Sequence, residues 1–250
     1  MYLNGWKYEG RKISEQLHEQ ILLIIDIIKD PLIVGNKTWP ALQPYIAKKL
    51  GIAPGQVRTI KRMMEEFGIL KKGSLNAKEI PSIDAFTDSG LTLINLFQAE
   101  KLMIEQNAIQ NRATLNEIKG IYKLYYQKVL ANYCYINDNV KLHPLKATLK
   151  ALDKYGYLDY WEWYILNTFI QSDDNSEEES KFDEIIKSYR NGTVHFSPED
   201  IKENKLSHSY VLGNFEFAGL VKVDGSKYKL KITLNENERE IINSIIEKEG

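Results

Sequence analysis

Apolar residues recur at helical spacing over most of the chain. In two places a helix gives way to glycine, a short apolar run and a lysine-bearing Gly-Ser turn, and the first of these lies in a strongly basic stretch. Together these observations predict a mainly α-helical fold with small β-hairpin wings. The expected architecture is two tandem winged-helix, or helix-turn-helix, domains joined by long helices. Expected boundaries are 1–90 for an N-terminal winged-helix domain, 91–141 for a helical connector and 142–250 for a C-terminal winged-helix-like domain.

With 250 residues the chain has length for two compact domains, and its 43% hydrophobic and 27% charged content is that of a globular protein. The formal net charge is -1, which argues against a general polyanion binder. That average hides an asymmetry. From Pro31 to Ile80 there are nine Lys/Arg and three Asp/Glu, a local +6; from Asp159 to Asp200 there are eleven Asp/Glu and three Lys/Arg, a local -8. A basic face on a near-neutral chain suits a selective polyanion binder. The single cysteine, Cys134, excludes an intramolecular disulfide and fits a reducing cytoplasm. Residues 1–11 show no apolar h-region, and ILLIIDIIK is too short and interrupted to cross a membrane. A cytoplasmic location is expected.

Met1 to Arg11, with Trp6 and Tyr8, reads as an extended arm that packs on a core. Ser14 stands as the N-cap of a helix whose apolar positions are Leu17, Ile21, Ile24, Ile25 and Ile28. Pro31 closes it. Thr38 is placed to cap a second helix, WPALQPYIAKKL, which Gly51 ends. A short turn then leads into a third helix. Val57, Ile60, Met64 and Phe67 form its buried stripe. Arg58, Thr59 and Arg62 lie opposite, with Gln56 at the start and Lys61 on the flank. Alone, such a helix reads equally as a solvated face; the preceding turn, the local charge and the following ILKKG and DAFTDSG segments make it a recognition helix with a wing. Lys71 and Lys72 on that wing, with Lys48 and Lys49 on the preceding helix, are the expected phosphate contacts.

A long helix from Ala113 to Ile136 carries Tyr122, Tyr125, Tyr126, Tyr133 and Tyr135 as core, with Cys134 a small buried hydrophobe. Leu145, Leu149 and Leu152 stripe the next helix, and an aromatic helix follows with Trp161, Tyr164, Ile165 and Phe169. QSDDNSEEES reads as a solvated acidic linker ahead of a helix KFDEIIKSYRNG, and Ser197-Pro198 as a further helix start. EEFGILKKGS and EFAGLVKVDGS share an order of parts, each followed by a strand, a Thr-containing turn and a helix. In the second copy Asp224-Gly225 is the hairpin turn and KYKLKIT the return strand. Ser207, His208, Ser209, Tyr210 and Asn214 are expected to face outward there, a polar set suited to reading bases.

No catalytic site emerges. Acidic-x-Lys triplets at Glu117-Lys119, Glu179-Lys181, Asp200-Lys202 and Glu203-Lys205 fall in expected helices or loops, without the upstream strand ending in Asp that a metal-dependent nuclease requires. There is no Walker loop, GxGxxG or GxSxG. His18, His143, His195 and His208 show no zinc spacing with the lone cysteine. No metal or cofactor is expected in this chain.

The order of parts resembles the DNA-recognition region of type IIS restriction endonucleases of the FokI and AlwI kind. LHPLKATLKALDKYGYLDYWEWYILNTFI is similar in texture to a stretch of AlwI-like enzymes in which a leucine-rich helix precedes an aromatic one. The resemblance implies sequence-specific binding of double-stranded DNA, as the target-recognition module or subunit of a type II restriction endonuclease. It implies a nuclease domain or subunit as partner, the only place for Mg²⁺. No catalytic residues carry over. The alternative is a plasmid or phage replication initiator or transcription regulator with paired winged helices.

Overall fold

The computed structural model describes residues 1–7, 10–137 and 140–248, the side chain of Asn137 excepted. They fall into two units, Glu9–Tyr126 and Met1–Tyr8 with Gln127–Gly250. The division therefore runs elsewhere than the expected 1–90, 91–141 and 142–250. The first residues belong with the C-terminal unit because Leu3 and Trp6 are buried there and Trp6 Nε1 donates to Ile170 O at 2.9 Å. Tyr8 lies outside the described residues.

The N-terminal unit is helical. Helix α1, Glu15–Lys29, starts where Ser14 Oγ accepts the Leu17 N–H at 3.2 Å, and it buries the expected apolar set. Asp30 then caps a one-turn helix α2, Pro31–Val34, which begins at the proline that closed α1. Helix α3, Trp39–Leu50, has Thr38 at its N-cap position without a side-chain cap bond. It ends at Gly51, whose φ of 64° is open to glycine at little cost. Three residues later α4, Pro54–Glu66, begins. Val57, Ile60, Met64 and Phe67 are all buried, with Met63 beside them. Helix α3 packs on α4 and on α1, which also meets α5, Asp88–Asn107. Helix α6, Arg112–Asn132, contributes its residues up to Tyr126 to this core.

The expected wing here is reduced to one bridge, Leu70 to Phe86, with no ladder. Both arms turn beside it: Ser74 N donates to Lys71 O at 3.1 Å, and Ile83–Ala85 form a 3-10 turn, so no second pair follows. Pro81 removes a donor further on. The return to α5 is tight. Thr87 Oγ1 caps Gly90 N at 2.9 Å and donates to Gly68 O at 2.5 Å, and a Cβ at Gly90 would lie 2.2 Å from Ile69 O.

In the C-terminal unit strand β1, Leu3–Asn4, pairs parallel with a later strand described below. Helix α6 stops at Asn132, and strands β2, Tyr135–Asn137, and β3, Val140–Leu142, form a hairpin. Tyr133, Cys134 and Tyr135 are therefore not on the long helix; Cys134 is half-buried in the connection rather than a core hydrophobe. Helix α7, Pro144–Tyr155, buries Leu145, Leu149 and Leu152 as expected. Strand β4, Leu158–Asp159, leads into α8, Tyr160–Phe169, which buries Trp163, Tyr164 and Ile165 but leaves Trp161 and Phe169 half-buried.

The acidic run is not a free linker. Asn175 caps α9, Ser176–Arg190, so the glutamates form its first turn, where the helix dipole favours negative charge. Asp173 accepts His143 N at 2.9 Å and pairs with its Nδ1 at 2.5 Å. Glu178 accepts the N–H groups of Gln171 and Ser172 at 2.8 and 2.9 Å. Ser197 and Pro198 do start a helix, with serine at the N-cap and proline in the first turn, but it is a single 3-10 turn, Pro198–Asp200. Asp200 Oδ2 turns back onto Ser197 N at 2.8 Å, closing one 3-10 turn, and the chain extends into β5, Ile201–Glu203, the partner of β1.

Helix α10, Ser207–Phe217, precedes β6, Val221–Asp224, and β7, Lys231–Leu234; α11, Arg239–Glu247, ends the unit. The antiparallel sheet runs in the order β4-β7-β6. The β6-β7 connection is longer than a two-residue hairpin, because Lys227–Lys229 form a 3-10 turn before the return strand starts at Lys231.

Candidate nucleic-acid interface

On α4 the buried stripe dictates what faces water. With Val57, Ile60, Met63 and Met64 inside, Gln56 and Arg58 are exposed, and Lys61 and Thr59 are half-exposed on the flanks. Thr59 Oγ1 donates to Gly55 O at 3.3 Å, one turn back. Lys61 pairs with Glu65 and Arg62 with Glu66, each at 3.1 Å. The Arg62 side chain is 56% exposed, so its i,i+4 pair is worth only about 0.3–0.5 kcal/mol, whereas the Lys61–Glu65 pair is largely covered. A phosphate can therefore compete for Arg62.

The other expected phosphate contacts lie on the elements before and after this helix. Lys48 and Lys49 are exposed on the last turn of α3, and Lys49 Nζ lies 5.7 Å from the Tyr45 ring centroid. Lys71 and Lys72 are exposed just past the Leu70–Phe86 bridge. Glu65 holds that turn against α4: besides pairing with Lys61, its carboxylate accepts Gly73 N at 3.0 Å. Ser74 Oγ donates to Lys71 O at 2.6 Å, and Lys71 N donates to Ala85 O at 2.9 Å. Arg58, Lys48, Lys49, Lys71 and Lys72 thus belong to one compact unit with fixed backbone. Sequence reasoning did not single out Glu65, because its partner is a backbone amide eight residues away.

On α10 only part of the expected set faces outward. Ser207 is buried, and its hydroxyl donates to Asn167 Oδ1 at 2.6 Å. The same oxygen accepts Trp6 N at 2.8 Å, so Ser207 belongs to the site that docks the N-terminal arm. Asn214 is buried too. Both are corrections to the outward-facing reading; for Ser207 the cause is the arm, whose Trp6 shares Asn167 Oδ1 with it. His208 is half-buried. Tyr164 OH donates to Lys205 O at 2.7 Å and lies 2.9 Å from His208 Nδ1, which makes Nδ1 the protonated nitrogen of the neutral ring. Burial lowers the His208 pKa from its ordinary value. Ser209 and Tyr210 retain solvent access.

The β6-β7 loop carries charge that the sequence reading passed over. Lys222, Lys227, Lys229 and Lys231 are all exposed, against Asp224. The alternating lysines of KYKLK were the available signal. Among the described residues no group of three or more His, Cys, Asp or Glu side chains is placed to hold a metal ion, and no helix is long and apolar enough to cross a membrane.

No family model matches the chain, and no curated protein matches it. Among solved structures it is similar to the binding domain of the BpuJ1 endonuclease, crystallised with pyrene- and phenanthrene-modified DNA. Identity is 17%, the match covers 98% of this chain and 84% of that one, and the TM-score is 0.49. A similarity of that size leaves the function of this chain to its own residues.

Proposed function

We propose that the chain binds double-stranded DNA sequence-specifically, with α4 as the element that enters the major groove. The observation that carries this is the division of α4 itself: a fully buried apolar stripe under exposed Gln56 and Arg58, entered from a three-residue turn and flanked by exposed Lys48, Lys49, Lys71 and Lys72. Arg58 and Gln56 have the reach and donors for base edges, with Thr59, Lys61 and Arg62 beside them. The four lysines hold phosphates. We read each unit as a winged helix. The order α7, β4, α8, α10, β6, β7 with strands β4-β7-β6 supports that reading in the C-terminal unit, and α1, α3 and α4 with the bridged loop support it in the N-terminal one. The role is that of a target-recognition module or subunit of a type II restriction endonuclease of the FokI and AlwI kind, acting in the cytoplasm. Cleavage and Mg²⁺ belong to a nuclease domain or subunit.

The test is selection of bound sequences from a randomised duplex pool, followed by titration of the selected duplex at several salt concentrations. If the four lysines each neutralise one phosphate, log K falls against log salt with a slope of about -3.6. No duplex affinity, or affinity without a salt slope, overturns the proposal.

A further inference from the structure

The ring of Tyr228, in the 3-10 turn between β6 and β7, is 40% exposed and crowns a stack of aromatic side chains. It lies nearly parallel to Trp161, with centroids 5.8 Å apart and planes 8° apart. Trp161 in turn stacks with Phe196 at 6.4 Å and 24°. The buried ring of Tyr160 meets Tyr228 edge-on at 5.0 Å, which fixes its tilt. Lys227 Nζ lies 4.6 Å from the Tyr228 ring centroid, and the phenol raises the pKa of that ammonium. Beside the stack, the exposed ring of Tyr157 is flanked by Lys231 at 5.3 Å and Arg190 at 4.5 Å.

We propose that this stack is a binding platform for an unpaired nucleotide, with Tyr228 taking the base and Lys227, Lys229 and Lys231 taking the adjoining phosphates. The ligand class follows from what the surface offers. A base inside a duplex has both faces covered by its neighbours, so only an unpaired or terminal base can extend a stack of rings. Among the described residues the cation beside the Tyr228 ring is the Lys227 ammonium, 4.6 Å from its centroid. It is solvent-exposed, and an exposed cation–π contact is weaker than a stacked base, so a base displaces it toward a phosphate. The acidic stretch that precedes α10 disfavours a long phosphate track on this unit, which limits the contact to a few nucleotides. The platform is in the C-terminal unit and stands independently of duplex binding by α4.

The experiment titrates the full chain with a fluorescein-labelled oligothymidylate strand of about 12 nucleotides and, separately, with a blunt duplex, following anisotropy. The wild-type chain is expected to bind the strand. Tyr228→Leu, which keeps apolar packing on Tyr160 and Trp161 but offers no ring, is expected to weaken strand binding about tenfold or more, and Tyr228→Phe to preserve it within about twofold. Duplex affinity is expected to be unchanged by Tyr228→Leu, and strand affinity unchanged by Arg58→Ala. Thermal melts of each variant exclude unfolding as the cause. Absence of strand binding by the wild-type chain, or equal strand affinity in folded Tyr228→Leu, overturns the platform. Absence of duplex binding alone overturns only the role of α4.

Discussion

The carboxylate of Glu65 accepts the backbone N–H of Gly73 at 3.0 Å, tying the lysine-bearing turn after α4 to α4 itself. The same carboxylate holds Lys61 at 3.1 Å. Two variants separate these roles. Glu65→Ala is expected to accelerate amide hydrogen exchange at Gly73 with a small stability cost, about 0.5–1.5 kcal/mol. Glu65→Gln keeps an acceptor for Gly73 and frees Lys61, so protection at Gly73 stays while duplex affinity rises.

Arg58 is exposed and carries the donor geometry for a guanine edge. Arg58→Ala is expected to relax preference at one base pair, at a cost of about 1–3 kcal/mol on the selected duplex and little on a random one. Lys72→Ala is expected to act differently. It weakens all duplexes alike and reduces the salt slope by about 1. Parallel titrations of selected and random duplexes distinguish the two, and a sequence-independent effect of Arg58→Ala refutes its base-reading role.

His18 sits in an aromatic nest: it stacks on Phe97 at 3.7 Å, and its Nε2 is 2.9 Å from Tyr126 OH. Burial, reinforced by the positive charge of Lys119, lowers its pKa to about 3. Lys119 is in turn paired with Glu15 at 3.1 Å and near Glu100 at 3.6 Å, and Glu100 accepts Tyr122 OH at 2.9 Å. The folded state therefore resists protonation that the unfolded chain accepts near pH 6.5. Stability is at its full value above that pH and falls as pH drops toward the folded pKa. The loss reaches about 2 kcal/mol at pH 5. Urea melts between pH 7 and pH 5 check this, and His18→Gln is expected to flatten the dependence.

Glu162 is buried and pairs with Arg190 at 2.5 Å, while its other oxygen accepts Asp159 N at 2.8 Å as part of the α8 cap. The hydrogen bond to Glu162 raises the pKa of the guanidinium further. Arg190→Met leaves the carboxylate buried without its cation. The expected cost is about 1–3 kcal/mol, read as a lower urea midpoint at unchanged m-value. An unchanged midpoint means that solvent already screens the pair.

Local rules carried the sequence far in the N-terminal unit. The Ser14 cap, the left-handed Gly51 and the stripe Val57, Ile60, Met64 and Phe67 each depend on residues within a turn or two, so spacing alone placed them. The exposure of Arg58 follows from the same periodicity. Long-range contacts decided the rest. Ser207 and Asn214 carry polar side chains at positions that spacing leaves open, and Ser207 is inside because Asn167 bonds both it and Trp6, 161 residues away. An expected hairpin is left as the single bridge of Leu70 to Phe86 between two turns, and Tyr135 pairs with Leu142 in a hairpin where a continuing helix was expected. A buried polar group must find a partner, and which partner reaches it is a property of the folded chain rather than of any stretch of it.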